Sequence, residues 1–157
     1  MATIHCMCGY IGFGKTTIAK QLEKEYIAKR FTPDELMVEL YGTDVGADFT
    51  EKANQLNAYI WEQMKKHLKE GQDVIYDAGS WGVDDRKYVM ETAHKLNVSV
   101  VWHQVLCRLE TAKKRTLARA QNIKELTIDE NFFDENLKKY SPITQKENLT
   151  VIFHKGE

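Results

Sequence analysis

The sequence predicts an α/β domain built on a parallel sheet of five strands, with helices on both faces. Short apolar runs alternate along the chain with longer segments of helical periodicity. Parallel strands need crossover connections, and a helix is the usual crossover. The 157 residues contain no low-complexity tract and no Pro/Gly-rich linker, so a single domain over residues 1–157 is expected.

The first strand and first helix flank a glycine-rich segment. Thr3 to Cys8 is an apolar run that ends at Gly9, which suits a buried strand. From Lys15 onward, apolar residues recur at spacings of three and four, which predicts a helix with one face on a sheet. These apolar positions are Ile18, Ala19, Leu22, Tyr26 and Ile27.

Two helices are predicted before the next long apolar run. After a brief strand at residues 30–32, Thr32 to Glu35 has the pattern of a capping box with Pro33 at the first helical position. This helix should end near Leu40. A long amphipathic helix follows from Phe49 to about Leu68, and Gly71 is placed to stop it.

The rest of the chain continues the alternation of strands and helices. Strands are expected at Asp73–Tyr76, Val98–Cys107 and Leu149–His154. Helices are expected from about Asp84 to Leu96, from Arg108 to Gln121, and from Glu130 to Lys139.

Composition restricts the class of protein. Because 22 Lys and Arg are balanced by 23 Asp and Glu, the overall electrostatic field of the protein attracts neither nucleic acid nor an anionic membrane. The first residues lack the features of a secretory signal, and no apolar run approaches the roughly 18 residues of a membrane span. We therefore expect a soluble, cytoplasmic protein. Cys6, Cys8 and Cys107 lie in or at the end of apolar runs, so free thiols are expected.

The segment "CGYIGFGKTT" has the spacing G-x-x-x-x-G-K-[ST] of a phosphate-binding P-loop. Glycines let backbone N–H groups approach phosphate oxygens closely, and the following helix adds its positive dipole end. Lys15 is predicted to reach the outer phosphates and the Thr16 hydroxyl to bind Mg²⁺. We expect the nucleotide to be ATP. The predicted nucleotide-binding residues are Gly9, Gly12, Phe13, Gly14, Lys15, Thr16 and Thr17.

Phosphoryl transfer also needs a base and positive charge on the moving group. Asp34, at the start of a helix, is the candidate base, although it would also complement the helix dipole. Arg115 and Arg119 are four residues apart and share a helical face, so they are candidates to clamp ATP. The alternative is a solvated basic face that continues to Lys113 and Lys114.

Three further features leave alternatives open. Asp77 ends an apolar strand and is predicted to hold Mg²⁺, to contact the acceptor or to cap a turn. Trp81 is predicted to stack on an acceptor ring or to pack at the domain edge. The histidines are scattered singly along the chain, which favours structural or exposed roles; they are His5, His67, His94, His103 and His154.

In these motifs the chain resembles small P-loop kinases of the polynucleotide 5′-hydroxyl kinase, zeta-toxin and chloramphenicol phosphotransferase type, which include short AAA-type ATP-binding proteins. The resemblance runs from "CGYIGFGKTTIAKQL" through "FTPDELMVELYG" and "VIYDAGSWGVDDR" to "RLETAKKRTLARA". It implies an adenylate-kinase-like sheet of strand order 2-3-1-4-5 and a small lid at about residues 108–140. It also implies that Asp34 activates the acceptor hydroxyl, that Asp77 lies in the acceptor or metal shell, and that Arg115 and Arg119 belong to the lid.

The sequence also departs from that pattern. Polynucleotide kinases of this type have an arginine in the helix after the catalytic aspartate, whereas this chain has Glu35 to Val38 there. The lid pattern often ends Arg-Asn, but this chain has Arg119-Ala120. We therefore expect an ATP- and Mg²⁺-dependent kinase acting on a hydroxyl of a small molecule, with Lys15, Asp34, Arg115 and Arg119 as its catalytic set. The alternatives are a nucleic-acid 5′-hydroxyl kinase, which is not favoured, and a nucleotide-binding regulatory ATPase.

Overall fold

A parallel five-stranded sheet forms the centre of the molecule. The computed structural model describes residues 1–43, 46–120 and 127–157. The strand order is β2-β3-β1-β4-β5 and every pairing is parallel, which confirms the predicted fold class. The strands are β1 Thr3–Cys8, β2 Lys29–Phe31, β3 Val74–Tyr76, β4 Ser99–Leu106 and β5 Val151–Lys155.

Helices connect the strands and lie close to their predicted positions. In the described ranges they are α1 Lys15–Tyr26, α2 Pro33–Tyr41, α3 Phe49–Lys69, α4 Val83–Leu96, α5 Leu109–Arg119 and α6 Glu130–Asn136. The helix predicted over residues 130–139 changes to a 3₁₀ turn after Asn136. Gln121, the predicted end of the helix that begins near Arg108, lies outside the described residues. None of the helices in the described part of the chain has the length and apolarity needed to cross a bilayer.

Alternation along β1 divides the core between the two faces of the sheet. Cys6 and Cys8 are buried with Trp102 on the face that packs against α3 and α4. Met7 points to the opposite face, where it packs with Leu22 of α1 and with residues of α5 and α6. The sheet is therefore covered on both sides, which is the usual environment of parallel strands. Burial raises the pKa of Cys8 to about 11, so this thiol stays protonated.

The capping box predicted at the start of α2 does not form. Thr32 makes no side-chain hydrogen bond to the helix. Its hydroxyl instead donates to Asp77 Oδ2 at 2.9 Å, and Glu35 accepts a hydrogen bond from Arg30 at 3.0 Å. Pro33 begins the helix as predicted. The local pattern was overridden because a neighbouring strand brings a stronger, charged acceptor to the Thr32 hydroxyl.

Three histidines that are far apart in sequence form one hydrogen-bonded row across the sheet. His103 of β4 lies between His5 of β1 and His154 of β5, with nitrogen–nitrogen distances of 3.1 and 2.9 Å. Tyr26 stacks on His5 at 4.4 Å between ring centroids, and His5 Nε2 lies 3.9 Å from Asp73 Oδ2. The hydrogen-bonded positions of these three histidines are structural. Their single placement along the sequence gave no sign of the row, because parallel pairing aligns β1, β4 and β5.

The histidine row predicts that acid destabilises the fold. Burial lowers the pKa of His103 to about 4, and it also lowers the pKa values of His5 and His154, against the opposing charges of Asp73 and Glu25. These folded-state pKa values lie below the unfolded value of about 6.5, so the unfolded chain binds protons more readily than the folded protein. The folded state therefore has its full stability above about pH 6.5 and loses stability as the pH falls towards 4. We expect the unfolding free energy from urea titration to fall by roughly 1–3 kcal/mol between pH 7.5 and 4.5.

His103→Gln should flatten this pH dependence, whereas His94→Gln, at an exposed position on α4, should leave it unchanged. The same pH slope in His103→Gln and in the wild type would contradict the prediction.

Candidate active site

The glycine loop lies between β1 and α1 and has the backbone shape that a phosphate cradle needs. Gly12 and Gly14 have φ angles of 77° and 96°, which is the left-handed region that favours glycine. Gly14 is the N-cap of α1, so the helix begins at Lys15. The N–H groups of the loop and the positive end of the α1 dipole therefore occupy one small region, which suits an anion.

Close packing around the loop also requires glycine. A Cβ on Gly12 would lie 2.3 Å from the carbonyl oxygen of Ala112 in α5. A Cβ on Gly156, just after β5, would lie 1.7 Å from the carbonyl oxygen of Phe13. The loop is thus held between α5 and the segment after the last strand. No local pattern in the sequence marks Gly156, because its contact with the loop depends on the tertiary structure.

Tyr10 of the glycine loop packs among aromatic side chains from other parts of the chain. Tyr10 is fully buried, and its hydroxyl donates to the carbonyl oxygen of Phe133 in α6. Its ring lies 5.0 Å from Trp81 and 5.7 Å from Tyr140, centroid to centroid. Trp81 therefore packs against the ring of Tyr10 in the glycine loop. Tyr10 was not singled out in the sequence, where it is one variable position of the motif.

Lys15 lies among the charged groups of the site. Its Nζ donates to the carbonyl oxygen of Tyr10 at 3.0 Å. Burial lowers the pKa of Lys15, while the carboxylates of Asp77 and Asp34 act in the opposite direction. Arg119 also influences Lys15, by repulsion that lowers its pKa further. Residues predicted separately from the sequence thus share one electrostatic environment.

Asp34 is positioned by the first turn of α2. The residue keeps solvent-accessible surface, yet the protein around its carboxyl group desolvates it and raises its pKa. The charges of Lys15 and Arg119 partly oppose this shift, and Glu35 reinforces it. A carboxylate with a raised pKa, reachable by solvent and close to the P-loop lysine, has the properties of a general base.

Asp77, directly after β3, accepts hydrogen bonds from the first turn of α1 and from the residue that precedes α2. Its Oδ2 accepts from the hydroxyls of Thr16 at 2.7 Å and Thr32 at 2.9 Å. Its Oδ1 is buried and has no hydrogen-bond partner among the described residues. Burial raises the pKa of Asp77 to about 6, against the stabilising effects of Lys15 and of the two hydroxyls.

The oxygen atoms around Asp77 fit Mg²⁺. Because the Thr16 hydroxyl gives its hydrogen to Asp77, its lone pairs remain available to a cation. Asp77 Oδ1 offers a second oxygen, and Mg²⁺ prefers oxygen ligands. The described residues contain no cluster of three His, Cys, Asp or Glu side chains suited to a metal. Thr16 and Asp77 together offer two protein oxygens, and Mg²⁺ is often held by one or two protein oxygens together with substrate phosphates.

The two arginines predicted for the lid have different surroundings. Arg115 Nη1 donates to the carbonyl oxygen of Gly12 at 3.3 Å, so this side chain lies on the glycine loop. Arg119 is exposed, and its charge acts on Asp34 and Lys15. Arg108, at the start of α5, pairs with Glu157 at 2.9 Å. Of the predicted lid, residues 121–126 lie outside the described ranges.

Arg86, which the sequence analysis did not single out, holds the loop after β3 in place. Its buried guanidinium binds Glu147 at 2.7 and 3.0 Å and donates to the carbonyl oxygen of Ser80 at 2.8 Å. Gly9 N–H donates to the carbonyl oxygen of Gly79 at 3.2 Å. The loop that carries Asp77 is therefore attached to the start of the glycine loop.

The fold and this site together define a small P-loop protein of the kinase type. A family model described as an AAA domain matches residues 4–143, and the chain belongs to this family.

Individual proteins agree with the assignment. Shikimate kinase from Parabacteroides distasonis is 25% identical over 148 residues, which cover 92% of this chain and 84% of that protein. A candidate kinase from Chloroflexus aurantiacus superposes with a TM-score of 0.77 at 15% identity, over 98% of this chain and 85% of the other. Kti12 from Chaetomium thermophilum, solved in complex with ADP-AlF3, has a TM-score of 0.73 at 15% identity, over 96% and 88% of the two chains. These two structures show the shared fold.

The packing of the glycine loop leads to a stability prediction. Gly12→Ala should lower the unfolding free energy by about 3 kcal/mol or more, because a left-handed φ and a steric clash with α5 act together. Gly71→Ala is the matched control: its φ of 81° is similar, but nothing lies within 4 Å of the added Cβ. The unfolding free energy of Gly71→Ala should fall by only about 1 kcal/mol. Urea titration of both variants measures the difference. Equal losses in the two variants would show that contact with α5 is unimportant.

Proposed function

We propose that this protein is a kinase that transfers the γ-phosphoryl group of ATP, with Mg²⁺, to a hydroxyl group of a small molecule. The observation that carries the proposal is the shared charge environment of Asp34, Lys15 and Arg119, beside the Thr16–Asp77 pair. A base, a phosphate-binding cation, a second cation and a metal shell are the parts that phosphoryl transfer needs. We further propose that residues 1–157 act as one domain, with residues 108–140 as its lid.

The glycine loop would bind the triphosphate through its backbone. In this role Gly9, Gly12, Phe13, Gly14 and the first turn of α1, including Thr17, present N–H groups to the phosphate oxygens. Lys15 would exchange the carbonyl oxygen of Tyr10 for an outer phosphate, which is a stronger, charged acceptor. Thr16 and Asp77 would hold Mg²⁺, which neutralises charge on the β- and γ-phosphates when bound.

Asp34 would accept the proton of the acceptor hydroxyl. As the proton moves to the Asp34 carboxylate, the hydroxyl oxygen forms a bond to the γ-phosphorus, the bond to the β-phosphate oxygen breaks, and ADP leaves. The raised pKa makes this carboxylate a better proton acceptor than an aspartate of ordinary pKa. Arg119 would neutralise charge on the transferred group, while Arg115 steadies the glycine loop.

A small acceptor is favoured by contacts between the proposed lid and residues that lie after α2 and at the start of α3. Thr127 N–H donates to the carbonyl oxygen of Thr43 at 3.1 Å. The rings of Phe49 and Phe132 meet edge to face at 6.3 Å. These contacts place part of the proposed lid against the segment that follows the helix of Asp34. The net charge of −1 offers no general attraction to nucleic acid. The similar protein from P. distasonis is named as a kinase of a small molecule, shikimate.

Removing the base should abolish transfer without abolishing nucleotide binding. We expect Asp34→Asn to lower the rate of transfer from γ-labelled ATP to a reactive acceptor by at least about 100-fold, because the amide accepts no proton. The acceptor would come from a pool of sugars, nucleosides and antibiotics. ATP affinity by calorimetry should change by less than about threefold, since Asp34 contacts the acceptor. Glu39→Gln, an exposed carboxylate on the same helix, is the control and should behave as the wild type.

Normal transfer by Asp34→Asn would contradict the assignment of the base. Labelling of a 5′-hydroxyl oligonucleotide in place of any small molecule would favour the nucleic-acid kinase. ATP hydrolysis that no acceptor stimulates would favour the regulatory ATPase.

Removing the P-loop lysine should weaken ATP binding directly. Lys15→Ala is expected to raise the Kd for Mg²⁺-ATP at least about tenfold, because it deletes a charge-assisted contact with the outer phosphates. Lys20→Ala, on the exposed side of the same helix, serves as the control. Calorimetry that gives equal Kd values for Lys15→Ala and the wild type would refute the phosphate-binding role.

A further inference from the structure

A buried chain of hydrogen bonds runs from the edge strand β2 to the metal-binding side of the proposed site. Arg30 Nη1 donates to Thr32 Oγ1 at 2.6 Å, and Thr32 Oγ1 donates to Asp77 Oδ2 at 2.9 Å. The two ends meet because β2 and β3 are parallel neighbours, with Phe31 opposite Tyr76. Asp77 N–H also donates to the carbonyl oxygen of Phe31 at 2.9 Å.

The chemistry of the three groups sets the direction of these hydrogen bonds. A guanidinium has donors and no acceptor, so Arg30 must donate to the Thr32 oxygen. The single hydrogen of the Thr32 hydroxyl is then free to point at Asp77 Oδ2. Thr16 donates to the same oxygen at 2.7 Å. Two hydroxyl hydrogens therefore converge on Oδ2, while no described residue donates to Oδ1.

Arg30 is itself held on two sides. It pairs with Glu23 of α1 at 3.4 Å and with Glu35 of α2 at 3.0 Å. Its side chain is 16% exposed, and Thr32 and Asp77 are 6% and 5% exposed. A partly buried arginine with two carboxylate partners has little freedom to turn away, so the Thr32 hydroxyl keeps its orientation.

We propose that Thr32, held by Arg30, is a positioning residue that orients the Asp77 carboxylate so that Oδ1 faces Mg²⁺ or a water bound to it. The inference rests on the proposed function, because it assigns a metal shell to Asp77. It replaces the helix-capping role predicted for Thr32.

Two hydroxyls hold the orientation of the carboxylate more firmly than one. The terminal torsion of an aspartate has a broad, roughly two-fold profile, so rotation that exchanges its oxygens is easy unless hydrogen bonds oppose it. Thr16 is the other donor to Oδ2, and it must also offer its oxygen to the cation. Among the described residues, the Thr32 hydroxyl bonds to Asp77 and Arg30, so it is suited to act as an orienting group. Partners of metal-binding groups in such positions typically change metal affinity 10- to 100-fold when removed.

The test measures how far Mg²⁺ tightens ATP binding. Calorimetry gives the Kd of ATP with Mg²⁺ and the Kd with a chelator. The second Kd divided by the first is the Mg²⁺-dependent ratio, which measures how far the metal tightens ATP binding. Thr32→Val keeps the shape of the side chain and removes its hydroxyl. We expect this variant to lower the Mg²⁺-dependent ratio about tenfold while Mg²⁺-free binding stays at the wild-type level. The Mg²⁺ concentration for half-maximal transfer should rise by a similar factor.

Matched variants separate positioning from structural damage. Thr32→Ser restores the hydroxyl and should recover the wild-type ratio. Thr92→Val removes a hydroxyl that donates to the carbonyl oxygen of Tyr88 within α4, and it should leave the ratio unchanged. Arg30→Met, which keeps Thr32 but releases its hydroxyl, should give an intermediate ratio. If Thr32→Val does not fold, Arg30→Met carries the test.

A wild-type ratio in Thr32→Val or, where that variant does not fold, in Arg30→Met would overturn the inference while leaving the proposed function intact. Failure of Thr32→Ser to recover the ratio would overturn it too. Wild-type protein that binds ATP equally with and without Mg²⁺ would overturn the proposed function and this inference together.

Discussion

The arrangement of the site depends on the buried carboxylate of Asp77. A buried carboxylate is unfavourable unless hydrogen bonds and a cation compensate for its lost hydration. The pKa of Asp77, raised by burial to about 6, indicates that its partners compensate only in part. Its three partners come from two parts of the chain: the Thr16 hydroxyl and the Lys15 ammonium group at the start of α1, and the Thr32 hydroxyl after β2. By attracting all three, Asp77 ties the glycine loop to the segment that carries Asp34.

The order of the strands makes this meeting possible. β1 and β2 both pair with β3, so the residues that follow these three strands emerge at one edge of the sheet. The glycine loop follows β1, α2 follows β2, and Asp77 follows β3. The glycine loop, the candidate base and the proposed metal ligand thus come together because each follows the carboxyl end of a neighbouring parallel strand.

Sequence patterns predicted best what short stretches of chain decide. The strand, the glycines and the helix of the P-loop lie within about 25 residues, and their order was predicted correctly because spacing and periodicity express local preferences. The capping box predicted from the pattern around Thr32 was wrong because that pattern, too, reflects local preferences alone. A capping box takes account of the helix alone, whereas the Thr32 hydroxyl had a charged acceptor 45 residues away. The histidine row was missed because a residue's neighbours across a sheet are invisible to linear spacing.

By itself the sequence determined the fold class, the P-loop and the identity of the charged residues available to the site. These follow from hydrophobic periodicity and from the backbone freedom of glycine, which act over a few residues. The tertiary structure alone decided which partners those residues have: Thr32 with Asp77, Gly156 against Phe13, and His103 between two other histidines. Hydrogen bonds and close packing act over a few ångströms of space, so they depend on how strands pair rather than on distance along the chain.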